Sequence, residues 1–358
     1  MPLREELIYP SLYRSRDAVK KNISEREFIG LIQSMSNDAN RDVIKGIGDD
    51  CAVFRSHGEK SWLITTDTLV ESIHFDLAWH PPKLLGRKAA AVNISDIAAM
   101  GGWPVSALLS VAVPDTNASW LEDFIAGFLE MLQEHRVILI GGDTVRSREA
   151  AVFSVTVLGE AEETNILYRS GAAVGDMVWV SGYLGEAAAG LELMRKRSSK
   201  EWGVKDRWQS LEKAHLDPEP RTRLGRLLAE SGFVHAMMDL SDGLATDLAH
   251  ISLASGVRSE IRAGDLPISK ELAAAAASLG MEPIDLALKG GEDYQLLFTA
   301  PPVNEAALRQ LVTEKGEGEI SCIGRIKEGE GVHLLSPAGK QTEITYQGYD
   351  HFNTNKEK

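Results

Sequence analysis

Strand-like apolar runs alternate with helix-like ones along the chain, and that alternation restricts the fold more than any other feature. WLIT (62–65), SALLSVAVP (106–114), VILI (137–140) and AVFSVTVLG (151–159) have the character of strands. A long Ala-rich stretch at 83–100 and a segment near 119–135 have the character of helices between them. Such alternation argues for an α/β fold. The pattern resumes with MVWVSG (177–182), a helix from about Glu186 to Arg197, and the helix TRLGRLLAESG after the punctuating PEPR at 218–221. Further strands are expected at 234–238, 258–262, 295–300, 319–326 and 332–335, and a short amphipathic helix from Glu27 to about Ser36. EKGEGE (314–319) reads as a solvated turn and the last six residues, NTNKEK, as a frayed tail. A length of 358 residues suits about two domains. The polar stretch EAEETN (160–165) is the candidate boundary, which gives an N-terminal extension over 1–25 and domains over 26–162 and 163–358.

Composition removes several function classes. Apolar residues at 44% and charged ones at 25% are the balance of a folded protein, not of a disordered chain. The 52 Asp+Glu outnumber the 38 Lys+Arg, for a net charge of −14, which argues against coating nucleic acid. Two cysteines, Cys51 and Cys322, make neither a disulfide framework nor a four-ligand zinc site. The first twenty-five residues hold no apolar core of a signal peptide, and no segment gives eighteen uninterrupted apolar residues. The expected location is the reducing cytoplasm, with no membrane partner.

The acidic residues are clustered in the sequence. Several stand where a strand is expected to give way to a turn: GIGDD (46–50), TTD (65–67), IGGDT (140–144), MDLSDG (238–243) and KGGED (289–293). One Gly-Asp pair alone is an ordinary turn or cap. Five, with Asp96 inside the Ala-rich stretch AAAVNISDIAAMGG, point to something more. A bare carboxylate in such a helix is costly to desolvate unless a cation or donors compensate it. Two carboxylates roughly 4 Å apart repel by about 4 kcal/mol at an effective dielectric near 20. Gathering several demands counter-charge, and hard oxygen donors with phosphate nearby suit Mg²⁺; no EF-hand spacing for Ca²⁺ occurs. Phosphate-binding features accompany the acids: the expected turn Gly141-Gly142-Asp143-Thr144 with Arg146, Arg169 in YRSGAAVGD, and SGYLGEAAAG (181–190) as a Gly turn opening a helix. The conventional nucleotide signatures are missing from the sequence.

In order along the chain, GIGDDCAVF, TTDTLVESIHF, KAAAVNISDIAAMGGWPVSALL, IGGDTVRS, MDLSDGLATDLAHI, GGEDYQLLFT and YQGYDHF resemble the thiamine-monophosphate kinase family. That family belongs with aminoimidazole ribonucleotide synthetase and selenophosphate synthetase. The resemblance runs from about residue 26 to 352 and leaves the N-terminal extension without a role. It implies two mixed α/β domains of the aminoimidazole ribonucleotide synthetase type, with N-terminal domains pairing in a homodimer and ATP bound in a groove between them. It implies transfer of the γ-phosphoryl group of ATP to thiamine monophosphate. Carried over by position, Asp50, Thr65, Thr66, Asp67, Asp96, Asp143, Asp239 and Asp242 would hold several Mg²⁺ ions. Gly142, Asp143, Arg169 and Ser241 would face the nucleotide, with Asp143, Arg169 and Asp242 at the reacting centre. His74, Glu292 and Tyr346 would face the thiamine phosphate; Tyr346 stands where the family often has Trp, and a Tyr ring still stacks.

The chemistry is coherent on its own terms. A phosphate monoester is already an anionic nucleophile, so transfer reduces to alignment and charge neutralisation. Cys51 follows an acidic pair that disfavours its thiolate, so it reads as a buried filler. Two rivals are a sister enzyme of the selenophosphate or aminoimidazole ribonucleotide synthetase kind, and a non-catalytic nucleotide- or metal-binding regulator. Selenophosphate synthetase places a reactive Cys or selenocysteine near its N-terminus, and residues 1–45 here contain no Cys. Retention of Asp143, Arg169 and the Ser-Asp-Gly block argues against the regulator.

Overall fold

The computed structural model describes residues 24–36, 41–56, 58–115, 117–198 and 208–352. The extension up to residue 23 and the tail NTNKEK lie outside the described residues. Two units are described separately. The first holds helix α1 (Glu25–Met35) and the chain around 350–352. Ser24 and Glu27 form a capping box at the start of α1, where each side chain satisfies a backbone N–H of the other. Phe28 packs against Phe352 at 6.0 Å between ring centroids, and the His351 N–H donates to Glu25 Oε2 at 3.1 Å.

The second unit, from residue 38 to 349, contains two mixed sheets. In the first, β1 (Val43–Lys45), β2 (Ala52–Arg55), β3 (Lys60–Val70), β6 (Val152–Glu162), β4 (Trp103–Val113) and β5 (Ile138–Arg146) lie side by side in that order. Only β4 and β5 run parallel. Helices α2 (Pro82–Ala99) and α3 (Ala118–Glu134) pack on one face, and their apolar residues join those of β2, β3, β4 and β6 in one core.

The second sheet runs β13 (Gln341–Glu343), β12 (Val332–Leu335), β9 (Arg258–Arg262), β11 (Ile320–Lys327), β7 (Met177–Ser181), β10 (Leu296–Ala300), β8 (Ala236–Asp239). Strands β7 and β10 are buried at every residue, as central strands covered on both faces must be. Helices α7 (Leu244–Ser255) and α9 (Pro283–Lys289) contribute to the core on one face. Helices α6 (Thr222–Ser231) and α10 (Glu305–Lys315) contribute on the other. A smaller core joins α9 to α4 (Glu186–Ser198), α5 (Gln209–Leu216) and α8 (Lys270–Leu279).

Helix α2 lies between the two sheets. It touches β3 and β6 on one side and α6 and β8 on the other. Thirteen of its eighteen residues are buried, which explains an Ala-rich sequence without a polar face. Two glycines set its approach to α3. A Cβ on Gly86 would stand 1.9 Å from the Phe124 carbonyl oxygen, and one on Gly127 1.8 Å from that of Lys83.

Two local expectations are corrected. Thr65-Thr66-Asp67 is not at a strand end but in the middle of β3, which pairs with β6 over its whole length. Gly141-Gly142-Asp143-Thr144 is not a turn; it lies inside β5, paired with β4 from Leu108 to Val111. Gly142 serves that pairing, because a Cβ there would meet the Leu109 carbonyl oxygen at 1.8 Å. Strands β1, β2 and β13 and helices α5, α8, α9 and α10 add to the elements expected from the sequence. Replacing Gly127 with Ala should lower stability by about 1–3 kcal/mol through overpacking, read as an earlier urea midpoint at unchanged slope. An unchanged midpoint would mean that the two helices separate at no cost.

Candidate active site

Successive residues of α2 reach into both sheets. The Thr65 hydroxyl on β3 donates to Asp96 Oδ2 at 2.5 Å, while the Ser95 hydroxyl donates to Asp239 Oδ2, also at 2.5 Å. Asp239 is the last residue of β8. One turn earlier on α2, Asn93 Oδ1 accepts the Asp67 N–H at 2.9 Å. Asp50, from the turn before β2, completes the group: carboxylate oxygens of Asp50, Asp96 and Asp239 all lie within 4.8 Å of one another. Asp242, in the turn between β8 and α7, acts electrostatically on both Asp67 and Asp239. Arg169 is the local counter-charge, donating Nε (3.0 Å) and Nη2 (2.5 Å) to Asp50 Oδ1. The other oxygen of Asp50 is buried without a hydrogen-bond partner among the described residues.

One arginine does not neutralise this group. Burial pushes Asp50 up to about 7 despite Arg169, with Asp239 and Asp49 adding to the rise. Burial, reinforced by Asp242 and Asp50, lifts Asp67 to about 6. Asp239 also reaches about 6, again through burial, against the opposing Ser95 hydrogen bond. Asp96 is driven well above the ordinary carboxylate range by burial and by Asp67. Oxygen-only donors, a shared focus and an orphaned carboxylate oxygen fit a hard divalent cation. Cys51 sits beside this group with its N–H directed at Met100 Sδ (3.1 Å). Burial and the nearby carboxylates push its thiol well up, which suits a core residue rather than a nucleophile.

Two expected metal ligands, Thr66 and Asp143, and the expected nucleotide contact Gly142 fall elsewhere. Thr66 points to the opposite face of β3 from Thr65; its hydroxyl donates to the Val155 carbonyl at 3.1 Å and accepts from Thr156 at 3.0 Å. Asp143 is exposed on the edge strand β5, in register with Ser110, and accepts its neighbour Thr144's N–H at 2.9 Å. Gly142 lies beside it. The α4 N-terminus, expected as a generic anion site, is already capped: Asp293 accepts the N–H groups of Gly185 (2.6 Å) and Ala187 (3.2 Å).

The Ser-Asp-Gly and Gly-Gly-Glu-Asp segments lie back to back. The Glu292 N–H donates to the Ser241 carbonyl at 2.8 Å, and a Cβ on Gly291 would stand 2.4 Å from that same oxygen. Glu292 itself has a left-handed φ of 67°. Two nitrogens stand beside its carboxylate at ion-pair distance, Nζ of Lys88 of α2 (2.8 Å from Oε1) and Nδ1 of His215 of α5 (2.9 Å from Oε2). Burial opposes ionisation of Glu292, yet Lys88 and His215 together hold it well below the usual range. A cavity of about 220 Å³, lined by His74, Phe75, Trp79, Arg195, His215 and Glu292, opens in front. His74 Nδ1 accepts the Val70 N–H at 3.0 Å, so in the neutral ring the proton is on Nε2. His74 and Glu292, separated by over two hundred residues, thus meet in one cavity. Tyr346 is not on that wall; its ring lies edge-on to His250 at 5.4 Å, above α7.

Lys88, Asn93, Ser95 and His215 were not read from the sequence as site residues. Lys88 carries the same signal as Asp96, a charge inside an apolar helix. Nothing local marks His215.

Comparison with known proteins places this architecture. Residues 48–161 match the model of AIR synthase related protein, N-terminal domain, and residues 173–335 that of AIR synthase related protein, C-terminal domain. Thiamine-monophosphate kinase of Haemophilus influenzae is 37% identical over 314 residues, 87% of this chain and 92% of that protein. That of Escherichia coli K12 is 38% identical over 320 residues, 87% of this chain and 93% of that one. A solved structure of AaThiL complexed with AMPPCP and TMP superposes with a TM-score of 0.78 at 35% identity, over 94% of this chain and 100% of that chain. By sequence and by its pair of AIR-synthase-type α/β halves, the chain belongs to the thiamine-monophosphate kinase family.

Proposed function

We propose that this chain transfers the γ-phosphoryl group of ATP to thiamine monophosphate, giving thiamine diphosphate and ADP. The observation that carries the reading is the buried carboxylate group around Asp50, Asp96 and Asp239, which one arginine leaves short of counter-charge. The names of its relatives, and the ATP analogue and TMP bound by AaThiL, supply the substrates. The acceptor oxygen of thiamine monophosphate is already anionic, so the chain needs no general base, and no nucleophilic side chain takes part. Its own residues align the two phosphates and exclude water.

Asp50, Asp67, Asp96, Asp239 and Asp242 would hold Mg²⁺, with the Thr65 hydroxyl orienting Asp96. When bound, Mg²⁺ supplies charge neutralisation for the transferring phosphoryl group. Arg169 keeps Asp50 in place as an acceptor. Ser241 faces the nucleotide from the turn that carries Asp242, and His74 and Glu292 take the thiamine portion, with Tyr346 at its margin.

Asp143 and Gly142 enter through a second copy. Asp143 shares strand β5 with Ile138, Ile140 and Val145, which are 66%, 58% and 52% exposed. A long apolar strand edge is an unstable surface for a lone chain. Pairing β5 and the open sheet face across a homodimer would bury it and bring Thr66 and Asp143 to the nucleotide groove. We divide the domains at residue 162, a reading supported by one family model ending at 161 and the next beginning at 173. Among the described residues no helix is long and apolar enough to cross a membrane, and we assign the chain to the cytoplasm.

Incubation with Mg-ATP and thiamine monophosphate should yield thiamine diphosphate by mass, and Asp143→Ala should fold yet lose at least about a hundredfold in kcat. Turnover of a different acceptor alone, or survival of activity in Asp143→Ala, would sink the substrate or the Asp143 role respectively. Light scattering should give twice the 39.1 kDa chain mass.

The cation reading has a pH signature. Asp50, Asp67 and Asp239 have folded values of about 7, 6 and 6, above the roughly 4 of an unfolded Asp. Their contribution to stability is therefore full below about pH 4 and is lost as pH rises through 6–7. A cation that binds only the folded, ionised group restores it. The melting-temperature gain from Mg²⁺ should be larger at pH 8 than at pH 5.5; equal gains, or none, would rule the group out as a cation site.

A further inference from the structure

Beyond the carboxylate group, the most unusual feature of the interior is the support of Glu292. Lys88 is fully buried, and its Nζ stands 2.8 Å from Glu292 Oε1. His215, 2% exposed, places Nδ1 2.9 Å from Oε2. Each oxygen thus has one nitrogen at ion-pair distance, Lys88 Nζ from inside the fold and His215 Nδ1 from a residue that also lines the cavity, while the Glu292 side chain keeps 22% exposure. A carboxylate oxygen has two lone-pair sites, so both oxygens retain acceptor capacity on the cavity side. The backbone is arranged for the same end: a non-glycine residue with φ of 67° is held there by its N–H to the Ser241 carbonyl. An ion pair that served packing alone would require neither the left-handed backbone nor the cavity wall.

The surroundings leave Glu292 as the acceptor on this wall. Trp79 offers an aromatic wall to the same cavity. Asp76, also on the wall, is turned back to accept the Ala78 N–H at 2.8 Å. The titratable groups around Glu292 are Lys88, His215, the buried Tyr294 and, behind Lys88, His80, with Arg195 and His74 across the cavity. Burial first, and then Lys88, lower both histidines, His80 to about 3. At neutral pH Lys88 is therefore the one cation in direct contact with Glu292 among the described residues.

We propose that Lys88 and His215 are positioning residues: they fix Glu292 as an ionised acceptor whose free lone pairs receive the amino group of the aminopyrimidine ring of thiamine monophosphate. This rests on the proposed function and assigns its specificity for the thiamine portion to Lys88 of α2, which lies outside the cavity, and His215 of α5, which stands on its wall. Loss of Lys88 leaves a buried carboxylate with a neutral donor only, and such a group takes up a proton in an accessible range.

Steady-state kinetics on the full chain, from pH 5.5 to 8, test this. Lys88→Met, which keeps volume, should raise KM for thiamine monophosphate about tenfold or more, the equivalent of one lost charged contact, with KM for ATP unchanged. The ratio of its KM to that of the parent should grow as pH falls. Glu292→Gln should show a raised KM whose ratio is flat with pH. Lys88 acting only in packing would lower the melting temperature without this acid limb. His215→Leu should raise the same KM and His215→Asn, which restores a donor, should recover it; this pair decides the matter if Lys88→Met does not fold. A parent protein that forms no thiamine diphosphate overturns the proposed function and this inference with it. A parent that does, with KM for thiamine monophosphate unmoved in the folded variants across the pH range, overturns the inference alone.

Discussion

The carboxylate group and the Glu292 cavity both depend on burying a charged helix between two sheets. Helix α2 is covered on nearly all sides, yet it carries Arg87, Lys88 and Asp96. Isolated charges in such a place are prohibitively costly, so each must be met by a partner that some other element delivers. Arg87 meets Glu130 and Glu134 of α3 and Asp217 beyond α5; Lys88 meets Glu292; Asp96 meets the Thr65 hydroxyl. The helix therefore ties the two sheets together through specific polar contacts as well as through apolar packing. Small residues let neighbouring backbones come close enough for this, with Gly86 and Gly127 at the α3 crossing and Gly225 of α6 against the Ala98 carbonyl.

The same helix separates two kinds of chemistry along its length. Lys88 and Asp96 are eight residues apart, roughly 12 Å of helix axis. At one end an over-acidic group lacks counter-charge; at the other a carboxylate has one nitrogen beside each oxygen and faces a cavity. These opposite electrostatic conditions explain why burial raises Asp50, Asp67 and Asp239 while Glu292 falls below the usual range. Desolvation opposes ionisation at both places; the difference lies in which protein charges already stand beside each carboxylate. The back-to-back pairing of the Ser241 and Glu292 turns fixes the distance between the two.

Much of the site could be read from residue types. A carboxylate in AAAVNISD is out of place unless something compensates it, and Asp96 is indeed met by a donor. Lys88 opens the same Ala-rich run and called for the same reasoning. The period-2 pattern of β3 also held usable information: Leu63, Thr65, Asp67 and Leu69 share the inward face, so Thr66 had to point away. The glycines misled in one place. Gly141-Gly142 reads as a turn, but Gly142 is there because β4 runs so close that a side chain would strike the Leu109 carbonyl. Asp143 is accordingly on an exposed edge rather than in the interior group.

The sequence by itself determined the alternation of strands and helices, the family, and which carboxylates are too costly to bury uncompensated. Those properties follow from local periodicity and from the desolvation cost of a charge, both of which are carried by residue type and spacing. Tertiary structure alone decided which acids share a focus, that Asp293 caps α4 rather than leaving an anion site, and that Lys88 and His215 both hold Glu292. Each of these depends on the approach of segments distant in the chain, and a contact of a few ångströms between such segments is set by how the sheets and α2 pack.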